Sequence, residues 1–150
     1  MKGTKAMLTK AAQLIASALV AAIFSGSGAS AVSPKSPQRA CNGVDTSLFA
    51  ARKQEYAELV VKAITVKIKA SSVTIHDFMA DDAWSAVYAS TPVSEDGVFF
   101  FQNVGHQKQF KDVWGGWAEP SDTPDLIKWA RNLGAPASLA ACFAAVVTRH

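Results

Sequence analysis

Thr91-Pro92-Val93-Ser94-Glu95-Asp96-Gly97-Val98-Phe99-Phe100-Phe101 is the stretch on which the fold turns. Pro92 and the Glu95-Asp96-Gly97 triplet read as a turn, and Val98 to Phe101 as a strand, because aromatic and branched side chains suit a pleated surface. Successive strand residues point to opposite faces, so Phe99, Phe100 and Phe101 cannot all enter one core. Two arrangements satisfy this constraint. In one, helices cover part of both faces, or a bulge at Gly115-Gly116 resets the phase. In the other, at least one ring faces outward and belongs to a contact surface.

Working outward, the same alternation recurs on both sides. Val66 and Ile68 alternate with Lys67 and Lys69, and Val73 and Ile75 repeat the pattern; Ile64 to Lys69 either continues the preceding helix or begins a strand. Asp81-Asp82 supplies a turn, and Trp84, Ala86 and Tyr88 alternate with Ser85 and Val87. Gln102 to Gln109 is polar and contains Gly105, which predicts a hairpin loop of moderate length. Phe110 to Ala118 returns as a strand carrying Val113, Trp114 and Trp117, with Gly115-Gly116 as a bulge or a place of close backbone approach.

Helical periods flank this region. Asp45, Thr46 and Ser47 are potential caps for a helix of about five turns that places Phe49, Tyr56, Val60 and either Ala63 or Ile64 on one side. Near the C-terminal end, Ser121-Asp122-Thr123-Pro124 opens a helix with Leu126, Ile127, Trp129, Ala130 and Leu133, and Gly134 ends it. Pro136 starts a last helix in which Leu139, Cys142, Phe143 and Val146 share a face. The expected class is α+β: an N-terminal helix, an antiparallel meander of about four strands, and two short C-terminal helices packed on the sheet, with the helices on one face.

The other end of the chain sets the compartment. Met1 to Lys10 holds three lysines and no acid, Ala11 to Phe24 is almost wholly apolar, and Ala29-Ser30-Ala31 follows. That is the pattern of a secretory signal peptide over residues 1–31. Its apolar run of about 14 residues is short of the roughly 20 that span a bilayer, so no stable membrane insertion is expected after cleavage. A flexible arm at 32–40, rich in Ser and Pro, then precedes a single domain at 41–150.

Cleavage also changes the charge. The full chain has 15 basic and 12 acidic side chains, but Lys2, Lys5 and Lys10 lie in the leader, leaving 12 against 12. A neutral mature chain without a basic stripe argues against nucleic-acid binding. Cys41 and Cys142, the only cysteines, are expected to form a disulfide in the oxidising periplasm or extracellular space.

Chemical motifs are sparse. His76, Asp77, Asp81 and His106 form the densest set of acid/base or ligand-type side chains and define an alternative reading as a small periplasmic hydrolase or metal-dependent enzyme. Their spacing matches no metal motif, and no nucleophile elbow or phosphate loop accompanies them. No metal or cofactor is therefore expected, and catalysis is the lesser reading. The aromatic set is more distinctive, and it predicts a binding surface of Phe99, His106, Trp114, Gly115, Gly116 and Trp117, with the polar Gln102 to Gln109 tip as a segment suited to entering a partner's cleft.

The order Gly97-Val98-Phe99-Phe100-Phe101, a polar hairpin, Val113-Trp114-Gly115-Gly116, a helix and Leu133-Gly134-Ala135-Pro136 resembles the layout of periplasmic lysozyme inhibitors of the Ivy type. It covers about a third of the chain and is also similar to small exported bacterial α+β domains of unassigned activity. The resemblance implies an inhibitory or binding module whose partner is an envelope or extracellular protein. The Cys-Lys-Pro-His-Asp-Cys loop by which that family enters its target is absent here, so none of its functional residues carries over. A structural or stress-related envelope protein is the third expectation.

Overall fold

Alternating apolar residues with short, turn-forming interruptions produce four antiparallel strands, β1 (Thr74–Asp81), β2 (Trp84–Thr91), β3 (Ser94–Val104) and β4 (Gln107–Gly115), joined in the order β1-β2-β3-β4. The computed structural model describes residues 37–150, and the expected leader and residues 32–36 of the arm lie outside the described residues. Helices α1 (Pro37–Ala40) and α2 (Ala50–Ala63) precede the sheet, and α3 (Thr123–Leu133) and α4 (Ala137–Val147) follow it. The class is α+β. Among the described residues, no helix is long and apolar enough to cross a membrane.

The expectation that helices cover a single face is overturned. Tyr56, Ala57 and Val60 of α2 pack with Phe78, Val87, Phe99 and Phe101, while Leu126 and Ala130 of α3 and Leu139 and Phe143 of α4 pack with Met79, Ala86, Val98 and Phe100. The sheet is thus covered on both faces. Phe99, Phe100 and Phe101 all lie in cores, at 4%, 0% and 1% exposure, because two separate cores receive them alternately. The reading in which at least one of these rings faces outward does not hold.

Three local expectations are also corrected. The Glu95-Asp96-Gly97 turn is strand, and the β2–β3 connection is Pro92-Val93, closed by a 2.8 Å hydrogen bond between the Thr91 and Ser94 hydroxyls. The Gln102 to Gln109 loop is mostly strand, with a two-residue turn of Gly105 (φ 57°) and His106 (φ 67°), as expected of a type I′ hairpin whose two turn residues both need positive φ. Those polar residues look loop-like in sequence because both faces of the projecting hairpin meet water. Ile64 to Lys69 is neither helix nor strand, although Ile68 still packs on the α2-side core.

The α2 helix begins at Ala50, later than Asp45 to Ser47 imply, because Asp45 serves elsewhere. Its backbone pairs with Ala80 on the outer edge of β1 (2.8 and 2.9 Å), and its carboxylate accepts from the Ser47 N–H and from Arg52. Hydrogen bonding to Ser47 and the Arg52 guanidinium hold that carboxyl below its ordinary value. The last four residues of the expected flexible arm form α1, which starts at Pro37, where the missing N–H is no loss. It leads directly to Cys41, bonded to Cys142 of α4 with the Cα atoms 4.4 Å apart.

Gly97 explains why an apparent turn signal lies inside β3. A Cβ there would stand 2.8 Å from the Trp114 carbonyl oxygen on β4, and a backbone atom cannot rotate aside. Gly97→Ala is expected to destabilise the chain by about 1–3 kcal/mol through overpacking. Its cross-strand partner Gly115 has free space, its nearest neighbour being at 3.9 Å, so Gly115→Ala should shift stability by less than about 1 kcal/mol. Denaturant midpoints of the two variants check the pair; equal losses would contradict the close approach.

Candidate functional site

At the end of β4 the chain turns from sheet to helix, and this corner gathers three indoles. Trp114 is opposite Val98 on the face covered by α3 and α4. Gly116, at φ 115°, then redirects the backbone into a region that strains other residues. Trp117 emerges 74% exposed, and Ala118 returns to the core. The short turn Pro120–Asp122 is fixed by a reciprocal arrangement in which the Glu119 N–H donates to the Asp122 carboxylate (2.8 Å) and the Glu119 side chain accepts in return. Helix α3 follows and presents Asp125, Leu126 and Trp129 toward the same corner.

The result is an open cavity of about 320 Å³ lined by Trp114, Trp117, Ala118, Asp122, Asp125, Leu126 and Trp129. That is near the lower end for small-molecule sites. Two of its walls are rigid. Trp114 and Trp129 both pack on buried Phe143, with ring centres 5.9 and 5.8 Å away, and Trp129 also meets Phe100 edge to face at 5.5 Å. Neither Asp122 nor Asp125 makes an ion pair among the described residues.

The predicted binding set is therefore divided. Trp114 and Trp117 line the cavity, and Gly115 and Gly116 form the adjoining backbone. Phe99 is buried on the opposite face against α2, since its strand phase is opposite to that of Trp114's partner Val98. His106 sits at the tip of the β3–β4 hairpin, the far end of β4 from Gly115. Neither belongs to the surface to which the sequence assigned it. The residues missed are Asp122, Asp125 and Trp129. Their spacing of three and four residues puts them on one side of a helix, a legible signal hidden because acids at a helix start also have a purely structural explanation.

The alternative set does not converge. His76 contacts the Ser90 hydroxyl at 2.5 Å, Asp77 pairs with Arg149 (2.9 Å) and His150 (2.8 Å), and Asp81 accepts from Ser138. His106 is on the hairpin tip. Among the described residues no group of three or more His, Cys, Asp or Glu is placed to hold a metal. Tyr88, stacked on His150 at 4.4 Å, has its hydroxyl pushed up by burial and then by Asp96 and Asp77.

Other concavities lie among the described residues. A polar cleft of about 190 Å³ lies under the first residues of β2, with Tyr56, Ser85, Arg52, Glu55 and Lys108. Burial pushes the Tyr56 phenol up, and the hydrogen bond to Glu55 raises the Lys108 ammonium; both bases there are already paired with carboxylates. A groove of about 700 Å³ runs between α1, α3 and α4, largely lined by Ala, Pro, Ile and Thr. Its one charge, Arg149, is engaged by Asp77. The groove has no aromatic lining, and although Phe78, Trp84 and the carboxylate of Asp82 also line the polar cleft, its three rings are buried and none stands exposed at a mouth as Trp117 does. Comparison with protein-family models, curated proteins and solved structures finds no match.

Proposed function

We propose that this chain is an exported binding module of the periplasm or extracellular space, working through the cavity of Trp114, Trp117 and Trp129. The observation that carries the reading is Trp117, a large apolar side chain left 74% exposed at the mouth of a cavity whose other indoles are braced from behind. Exposed indoles bordering a concavity are a common feature of recognition sites, because they offer large contact area at little conformational cost. The leader pattern and the Cys41–Cys142 bond support export. The partner is an envelope or extracellular component, and inhibition of an envelope enzyme is the form of binding to which the Ivy-type layout points.

The test is tryptophan emission of the oxidised chain during titration with a panel of envelope components: glycan fragments, peptides and organic cations. At least one class is expected to give a saturable change, reduced at least fivefold in affinity by Trp117→Ala, which removes only an exposed side chain. A panel without saturable binding, or binding that Trp117→Ala leaves unchanged, overturns the proposal.

A further inference from the structure

We infer that the group received by the Trp114–Trp117–Trp129 cavity is an alkylammonium cation, such as a lysine side chain or a quaternary amine. The inference rests on the binding reading above and names its ligand chemistry.

Three features of the lining converge. Indole faces carry negative electrostatic potential and attract cations more strongly than other aromatic rings do. Three of the seven lining residues are Trp, and Trp114 and Trp129 lean on Phe143 rather than on each other, so stacking between those two does not close the cavity. The remaining polar side chains are the carboxylates Asp122 and Asp125. An ionised carboxylate only accepts hydrogen bonds, which suits an N–H or N–CH₃ cation and repels an anion.

The structural role of the acids does not exhaust their charge. Both sit at the start of α3, where the helix end carries roughly half a positive charge. Two carboxylates exceed that, and Glu119 beside them adds a third acid. Asp122 accepts the Glu119 N–H, while Asp125 has no described side-chain partner. No basic side chain lies within ion-pair distance of either among the described residues. Asp122 and Asp125 are exposed at the rim of the aromatic cavity, and negative charge there without a basic partner complements an organic cation. A sugar is served less well, because its hydroxyls need donors as well as acceptors and the only lining side-chain donors are indole N–H groups.

The experiment compares choline with its neutral isostere 3,3-dimethylbutanol, using tryptophan emission of the oxidised full chain at low salt. Choline is expected to bind at least tenfold more tightly, since the two differ in charge and hardly in shape. Asp122→Asn and Asp125→Asn together should weaken choline roughly tenfold with little effect on the alcohol; Asn retains the oxygen that accepts from Glu119, so the turn persists. N-acetyl-lysine methylamide identifies the source. Tighter binding than choline assigns a protein side chain, and weaker binding assigns a free or lipid-borne quaternary amine.

Equal binding of choline and the alcohol overturns the inference and leaves an apolar binding site. Tighter binding of a glycan fragment than of either cation also overturns it, again with the binding proposal intact. Failure of every probe removes both.

Discussion

Replacing Cys41 and Cys142 together by alanine is expected to lower the unfolding free energy by about 3–5 kcal/mol. The two are 101 residues apart in sequence, and closing a loop of that length restricts the unfolded chain by an amount the entropy model puts at about 4.7 kcal/mol. Small domains are stable by only about 5–15 kcal/mol, so the loss removes roughly a fifth or more of what holds the fold. Alanine is the right replacement because Cys142 is fully buried in the core between α4 and the sheet; a serine hydroxyl there would add its own desolvation cost. Native structure at the N-terminal end should suffer most. Helix α1 has four residues, far below the length at which an isolated helix persists, and the bond at Cys41 ties it to α4. Guanidinium unfolding of the oxidised, reduced and double-alanine chains provides the check. The last two should unfold together at a midpoint well below the first, and coincidence of all three curves would show that the cross-link contributes no stability.

Much of the fold is legible in the sequence because it rests on period. The alternation of Trp84 to Tyr88 and of Val98 to Phe101 specifies strands, and the caps and glycine around Thr123–Leu133 specify a helix. Positions where one residue serves an unexpected purpose are misread. Gly97 resembles a turn glycine, but its role is to admit the Trp114 carbonyl across the ladder. Asp45 resembles a helix cap but pairs with the edge of β1. The phase reset predicted at Gly115-Gly116 occurs instead at Lys111, where Phe100 pairs with Asp112 and Phe101 with Phe110. Nothing local distinguishes Lys111 as a bulge. The site is half legible for the same reason. Trp114 and Trp117 announce themselves as aromatics out of strand phase, whereas Trp129 reads as ordinary helix core until α3 is folded against the end of β4. Phe99 shows the converse error: an aromatic in a run of three cannot be assigned to a face until both faces are known to be covered.

Phe143→Ala is expected to cost about 3–5 kcal/mol, the range for truncating a buried aromatic ring, and to loosen the cavity as well. Phe143 has no exposed surface. Its ring meets Phe100 at 5.1 Å, Trp114 at 5.9 Å and Trp129 at 5.8 Å, so one side chain from α4 supports a sheet residue and two of the three indoles. Removing it leaves a void that the sheet cannot readily fill, because Phe100 is held on both sides of β3 by strand pairing. Trp114 and Trp129 then gain freedom, while exposed Trp117 does not depend on Phe143. Emission should shift to the red, reflecting water reaching the first two. Phe110→Ala is the matched control, since Phe110 is 40% exposed on the α2 side and its loss should cost less than about 2 kcal/mol. Phe143→Leu keeps most of the volume and folds with a smaller penalty; in that folded variant, affinity for the ligand of the cavity should still fall severalfold, because leucine cannot make ring contacts with two indoles. Unfolding midpoints for all three variants and ligand titration of Phe143→Leu decide the matter. A Phe143→Ala loss no larger than that of Phe110→Ala would remove Phe143 from the role of common support, and unchanged affinity in Phe143→Leu would show that the cavity walls hold without it.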